Sequence, residues 1–405
     1  MISHRWSLIL VSILVVIISF LNFVVFFQFV KNSPGGNDSI PRWIGTRAWL
    51  FEGINPYSDE VNLRAQQMIY GRPAMMDEDQ HKFVYPFYVI LFYIPIAWLN
   101  FEWGRTIYMM VIEGAIIIMV VMTVRTYKLS LPRWLMTITI IISVLNYHSI
   151  RTIVLWQLAA ISALLITLAL WGIVNKHDIL AGICLAMASI KPQMVFLIIP
   201  IVFLLGILFR RWKISLSLLG TLLFLFIVSV ILLPTWFSDM VHQMIDYESY
   251  THTVSPLNLL THRIFPVLGD KVEIFLILLL LAWLIFEWTR VKNVESDQFL
   301  WTFSLSLVIT NLIVVRTATT NYLMMFPALI YIIQKIAKSQ FSQKNIWILM
   351  IELILFIGTW ILFFITVQGR EEQWQMYLPL PLFILVGLIF AKIRDNLAKS
   401  ILIVS

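Results

Sequence analysis

The sequence has little charge, and that sets the frame for everything else. Only 13% of its 405 residues are Asp, Glu, Lys or Arg, where an ordinary soluble domain has about a quarter. With 60% hydrophobic residues and a mean hydropathy of +0.87, a water-soluble globule is excluded, and most of the surface must face lipid. Cysteine is almost absent. The single Cys184 allows no intrachain disulfide, and its apolar surroundings in the chain fit a core thiol. There is no HExxH, no His/Asp/Glu set at metal-ligand spacing and no glycine-rich phosphate loop. A soluble nucleotide-sugar fold is therefore not encoded, and neither a metal nor a cofactor is expected. No internal repeat is visible. The long polar stretches 31–83 and 234–271 have no counterparts, unlike the paired halves of many secondary transporters.

What is present is apolar and aromatic. The 28 Phe, 16 Trp and 13 Tyr suit lipid-facing walls and interfacial belts. The net charge of +7 comes from 29 Lys and Arg against 22 Asp and Glu. In this context it reads as basic cytoplasmic loops, and no nucleic-acid partner is expected. The run from Leu8 to Val30 is too long for a signal-peptide core and is read as a retained anchor helix. Apolar runs recur at 84–99, 105–124, 132–146, 152–173, 178–189, 192–209, 214–233, 272–288, 299–315, 320–336, 345–367 and 377–393. The expectation is an all-α polytopic membrane protein, a single integral-membrane domain over 1–405, with about eleven to thirteen spans. The runs 178–189 and 192–209 read as one helix broken at Lys191-Pro192 or as two half-spans.

Basic clusters such as Arg125/Lys128/Arg133, Arg210/Arg211/Lys213 and Lys335/Lys338/Lys344 should face the cytoplasm. That places 31–83, 147–151, the Lys191 turn, 234–271, 316–319 and 368–376 on the other side, provided one run, 84–99, does not cross. The segment 31–85 becomes a first outer loop with short amphipathic helices near 41–51 and 60–70, and 234–271 a second.

Several polar residues then collect on the outer side. Asp38, just after Pro34-Gly35-Gly36-Asn37, is either a solvated residue capping a helix that starts near Pro41 or an interfacial carboxylate able to take a proton from a sugar hydroxyl. Lys191 sits at membrane depth, where a charge costs on the order of 2.5–3.5 kcal/mol. It either snorkels to headgroups or acts as a fixed cation for a phosphate. Arg316 is followed by Thr317-Ala318-Thr319-Thr320-Asn321, a hydroxyl-rich run of the kind that opens helices and binds anions. His262 and Arg263 end an amphipathic re-entry from Ser255 and could touch a lipid phosphate or simply anchor the interface. His148 and His252 read as structural.

The blocks Asp38…Arg42-Trp43…Gly53…Asn55-Pro56-Tyr57, Phe83-Val84-Tyr85-Pro86 with Pro95, Gln157, Ile190-Lys191-Pro192-Gln193 and Asn258 to Arg263 occur in an order that resembles glycosyltransferase family 87. The resemblance covers about residues 36–263. It departs at Phe87, where a second proline is common, and at Trp156, where the family often has glycine before the glutamine. It implies a GT-C type helical bundle that transfers a sugar, mannose foremost, from a polyprenyl-phosphate donor to a lipid or glycan acceptor. Transfer would occur with inversion at the extracytoplasmic face of the cell membrane. Asp38 would then be the general base. Lys191, Arg263, Arg316 and His262 would serve the donor phosphate, and Asn37, Tyr57, Tyr85, Gln157, Gln193 and Asn258 the substrates. The alternatives are a transporter or flippase of lipid-linked glycans and a non-catalytic assembly protein.

Overall fold

The computed structural model describes residues 2–33, 35–250, 254–369 and 372–404; Pro34 and His252 lie outside them. Among the described residues the chain is 78% helical and has no strands. This is a polytopic membrane protein. Among the described residues six helices are long and apolar enough to cross a membrane: Ser12–Asn32, Phe101–Thr126, Trp212–Leu232, Gly269–Thr289, Lys344–Thr366 and Trp374–Leu397. A seventh is reached if Arg133–Leu145 and Tyr147–Val154, bent by 46°, count as one span.

The eleven to thirteen spans expected from apolar runs differ from this number for a physical reason. Hydropathy does not see where helices stop. Ala159–Val174, Asp178–Ile190 and Ile198–Leu208 are apolar but short, below the roughly twenty residues a perpendicular crossing needs. The run 84–99 becomes a 3-10 turn, Phe87–Phe92, and a four-residue helix, Ile94–Ala97, so it cannot span. The break expected at 147–151 falls instead at Leu155–Leu158, because 147–154 stays helical past the bend.

The chain falls into two compact units. The first comprises 1–114, 153–157 and 229–251. Here Ile40–Arg47 packs on Asp59–Tyr70, on Phe87–Phe92 and on Ile94–Ala97. The first of these helices has Pro41 in its opening turn, and Ser58 caps the second by accepting from the Val61 amide. The expected short helices of 31–85 are therefore present. The helix Trp236–Tyr250 joins them: Gln243 donates to the Tyr57 carbonyl at 2.9 Å and Asn55 to Asp239 at 2.7 Å.

The second unit comprises 115–152, 158–228 and 252–405. Its centre is Asp297–Ile313, buried on all faces and packed by Gly269–Thr289, Phe326–Ala337 and Pro379–Val404. A helix with no solvated face must hide its own polar groups. Thr302, Ser304, Ser306 and Thr310 do so by donating to carbonyls one turn back, at 2.6–2.9 Å.

Candidate active site

In the first unit the chain leaves the first long helix and makes a tight turn through two glycines with positive φ, Gly35 and Gly36. At Gly36 (φ +79°) a Cβ would lie 2.5 Å from the Trp156 indole nitrogen and 2.9 Å from Arg105 Nε. Only glycine fits both the backbone and the space. The segment 153–157 holds this turn. The fully buried Trp156 donates from Nε1 to the Gly36 carbonyl at 2.6 Å, and its own carbonyl accepts from Ser39 Oγ at 2.7 Å. Arg105, also buried, bridges the Ser33 and Val154 carbonyls at 3.1 and 3.0 Å. Tyr93, Phe101 and Tyr108 meet the indole edge-to-face.

This clamp fixes Asp38. Its carboxylate is half-buried and accepts a hydrogen bond at Oδ2 from Gln157 Nε2. Among the described residues it has no other hydrogen bond and no ion pair, which leaves Oδ1 able to accept a proton. Asp38 is not a helix cap. The N-cap of Ile40–Arg47 is Ser39, whose hydroxyl goes to Trp156 and Tyr93. Among the described residues no helix amide donates to the Asp38 carboxylate, so it does not cap this helix. Asn37 is half-buried beside it.

Tyr57 and Tyr85 also belong to this unit, in supporting positions. The Tyr57 hydroxyl donates to the Tyr85 carbonyl at 2.6 Å. Burial, followed by the nearby Asp239 charge, raises the Tyr57 phenol above its ordinary range, so it remains a donor. The Tyr85 ring lies under the Arg42 guanidinium at 3.7 Å.

In the second unit Lys191 stands at the break between Ala188–Ile190 and Pro192–Val195 and is 1% exposed. It does not snorkel. Its Nζ donates to Asn321 Oδ1 at 2.5 Å, and Asn321 donates to Thr317 at 3.2 Å. The hydroxyl run after Arg316 thus forms a 3-10 turn, Thr319–Met325, around a buried lysine. Beside it Glu372 accepts from Tyr147 at 2.7 Å and from Thr319, and pairs with Arg151 at 3.2 Å. Gln193 and Arg316 are half-buried.

Asn258 donates to Glu273 at 2.6 Å, and His262 bridges the Asn258 carbonyl and Asp270. Arg263 lies 4.4 Å above the Trp374 ring. The fold thereby gathers His262, Asp270 and Glu273 with possible ligand atoms within 4.8 Å, a cluster that spacing in the sequence does not reveal. Each member also has a hydrogen-bond partner: Asp270 from His262 and Glu273 from Ser255 and Asn258.

A family model described as glycosyltransferase family 87 matches residues 83–316, more than half of the chain. The chain belongs to glycosyltransferase family 87. No curated protein and no solved structure matches it. This family 87 chain is a membrane glycosyltransferase, which disfavours the flippase and assembly readings. Tyr85, Gln157, Lys191, Gln193, Asn258, His262, Arg263 and Arg316 fall within the matched span, whereas Asn37, Asp38 and Tyr57 precede it.

The first unit brings Asp38 and Gln157 into contact. The second brings Lys191 to Asn321 and Asn258 next to His262. Sequence reasoning missed Arg42, Arg105, Trp156 and Glu372 as parts of these arrangements. Arg42 and Trp156 carried a signal, as a member of the first block and as a departure from it. Arg105 and Glu372 carried none, because each finds its partners far along the chain.

Proposed function

We propose that this glycosyltransferase moves a sugar, mannose foremost, from a polyprenyl-phosphate donor to a lipid or glycan acceptor at the extracytoplasmic face of the cell membrane. Asp38 is the general base. The acceptor hydroxyl attacks the sugar C1 from the face opposite the phosphate. The new C1–O bond forms as the C1–O(phosphate) bond breaks, the lipid phosphate leaves with the electron pair, and Asp38 takes the hydroxyl proton. One displacement gives inversion. A lipid phosphate is a stable anion and leaves without a general acid, so cations matter more than proton donors on that side. In the second unit Lys191, Arg263 and Arg316 are the proposed cations, with His262, Gln193 and Asn258 as polar neighbours.

The observation that carries this reading is the state of Asp38. It is a half-buried carboxylate with one oxygen held by Gln157 and the other without a partner among the described residues. Gln157 can donate to the carboxylate but cannot neutralise it, so it orients the base without quenching it. The two glycines and the Trp156 clamp hold the carboxylate on a turn that is itself rigid, as a preorganised base requires.

The test is sugar transfer in nanodiscs with labelled polyprenyl-phosphate sugars and a membrane-lipid extract as acceptor. Asp38→Asn keeps the hydrogen bond geometry and removes the base. The expected loss of turnover is about 10²–10⁴-fold, the usual worth of a general base. Full transfer by Asp38→Asn would remove the assignment, and failure of every polyprenyl-phosphate sugar as donor would remove the donor class.

A further inference from the structure

Arg42 is a buried cation without a counter-ion. Its side chain is 8% exposed, Nε is buried with no hydrogen-bond partner, and among the described residues it makes no ion pair. The Tyr85 ring lies 3.7 Å below the guanidinium. A buried charge in that state is costly unless something pairs with it. A guanidinium stacked on a ring keeps its N–H edge pointing outward in the plane, the geometry that takes two oxygens of a phosphate side by side.

The setting is built rather than accidental. The Tyr57 hydroxyl holds the Tyr85 backbone, and Gly45, one turn from Arg42, leaves room for Phe83, whose ring would be 2.8 Å from a Cβ there. Phe83 in turn packs edge-to-face on Tyr57. The side chains whose fields act on Arg42 are Tyr85, Tyr93, Asp38 and Tyr247. Asp38, four residues earlier, is the one carboxylate among them; its Oδ2 is held by Gln157, and it makes no ion pair with Arg42 among the described residues.

We propose that Arg42, stacked on Tyr85, is the binding site for the phosphate anion of a lipid substrate. This rests on the reading above that the enzyme uses a phosphate-linked lipid, and it assigns that anion a partner in the same unit as the base. Two sources share this chemistry: the polyprenyl phosphate of the donor and the phosphodiester headgroup of an anionic acceptor lipid.

The experiment measures binding to the full-length protein in neutral-lipid nanodiscs, by intrinsic tryptophan fluorescence, for two matched pairs. One pair is polyprenyl phosphate against the uncharged polyprenol. The other is phosphatidylinositol against diacylglycerol. In the wild type, Arg42 should give the phosphate-bearing member at least about tenfold tighter binding in one pair, a difference of about 1.4 kcal/mol. Arg42→Gln should weaken binding of the phosphate-bearing member in that pair by about tenfold and leave the uncharged member unchanged. Loss in the first pair assigns the donor, and loss in the second assigns the acceptor.

Arg42→Lys keeps the charge and loses the planar fork, so it should retain part of the preference. It also serves if Arg42→Gln does not fold, as judged by helicity and thermal unfolding. Asp38→Asn should keep the preference or strengthen it, because it removes a nearby negative charge, which a structural Asp38–Arg42 role would not predict. A folded Arg42→Gln or Arg42→Lys protein with the full wild-type preference in both pairs overturns the assignment to Arg42. A wild type with no preference in either pair instead sinks the lipid-phosphate reading beneath it.

Discussion

Trp156 offers a test in which two effects of opposite sign can be separated. Its backbone is left-handed, with φ of +42°, a conformation that costs a non-glycine residue roughly 1–2 kcal/mol. That is the position where the family often has glycine, and the chain carries the cost because the indole clamps the Gly36 turn. Truncating a fully buried tryptophan costs about 3–5 kcal/mol, here including the hydrogen bond to the Gly36 carbonyl at 2.6 Å and three edge-to-face ring contacts. Trp156→Gly recovers the strain and loses the ring, for a net loss of about 1–4 kcal/mol. Trp156→Ala loses the ring and keeps the strain, so it should be worse than glycine by about 1 kcal/mol. Trp156→Phe keeps most of the packing and loses the donor. The predicted order of both thermal stability and sugar transfer is Trp, then Phe, then Gly, then Ala. The assay is transfer from a polyprenyl-phosphate sugar in nanodiscs, with thermal unfolding of the same preparations. If Ala equals or exceeds Gly, the left-handed strain is not there. If Gly equals Trp in both readouts, the indole does not clamp the loop that carries Asp38.

Three further outcomes follow from the same geometry. Gly36→Ala places a Cβ 2.5 Å from the indole nitrogen at a positive φ, and transfer should fall with stability by at least about 1–3 kcal/mol, checked by thermal unfolding. Gln157→Ala leaves Asp38 chemically intact and removes the donor that orients it; kcat should drop roughly tenfold or more with KM little changed, and an unaltered kcat would mean that the carboxylate is held by something else. Asn321→Ala removes one charge-assisted hydrogen bond of the buried Lys191 ammonium and should destabilise the protein by about 1.5–3 kcal/mol, whereas Lys191→Met removes the charge together with its need for partners and should be milder; thermal unfolding of the two variants side by side reads the contrast.

Much of the architecture was legible because the bilayer imposes a coarse rule. A chain this apolar with basic residues clustered between runs must be helical and multi-pass, and the short helices of 31–85 showed in their patterning and in Pro41. Helix ends were less legible. The Lys191-Pro192 break was visible because proline removes a donor and lysine is out of place. The break at 155–158 was not, because Leu155, Trp156 and Leu158 read as more of the same apolar run. What makes them a break is a tertiary contact: the backbone turns left-handed at Trp156 so that the indole can reach a glycine more than a hundred positions earlier.

The candidate site divides along the same line. Asp38 could be singled out from its place after an apolar run and before Pro41, but position alone could not separate a base from a cap. The decision comes from Ser39. Its hydroxyl is engaged with Trp156 and Tyr93, no side chain caps the helix, and Gln157 is the group that reaches the Asp38 carboxylate. Tyr57 donates its phenol proton to the Tyr85 backbone carbonyl and so acts as a support, whereas the Tyr85 ring lies under the Arg42 guanidinium. On the proposed reading, the chemistry of this turn lies in a carboxylate held by Gln157 and, four residues on, a guanidinium stacked on Tyr85 that makes no ion pair among the described residues.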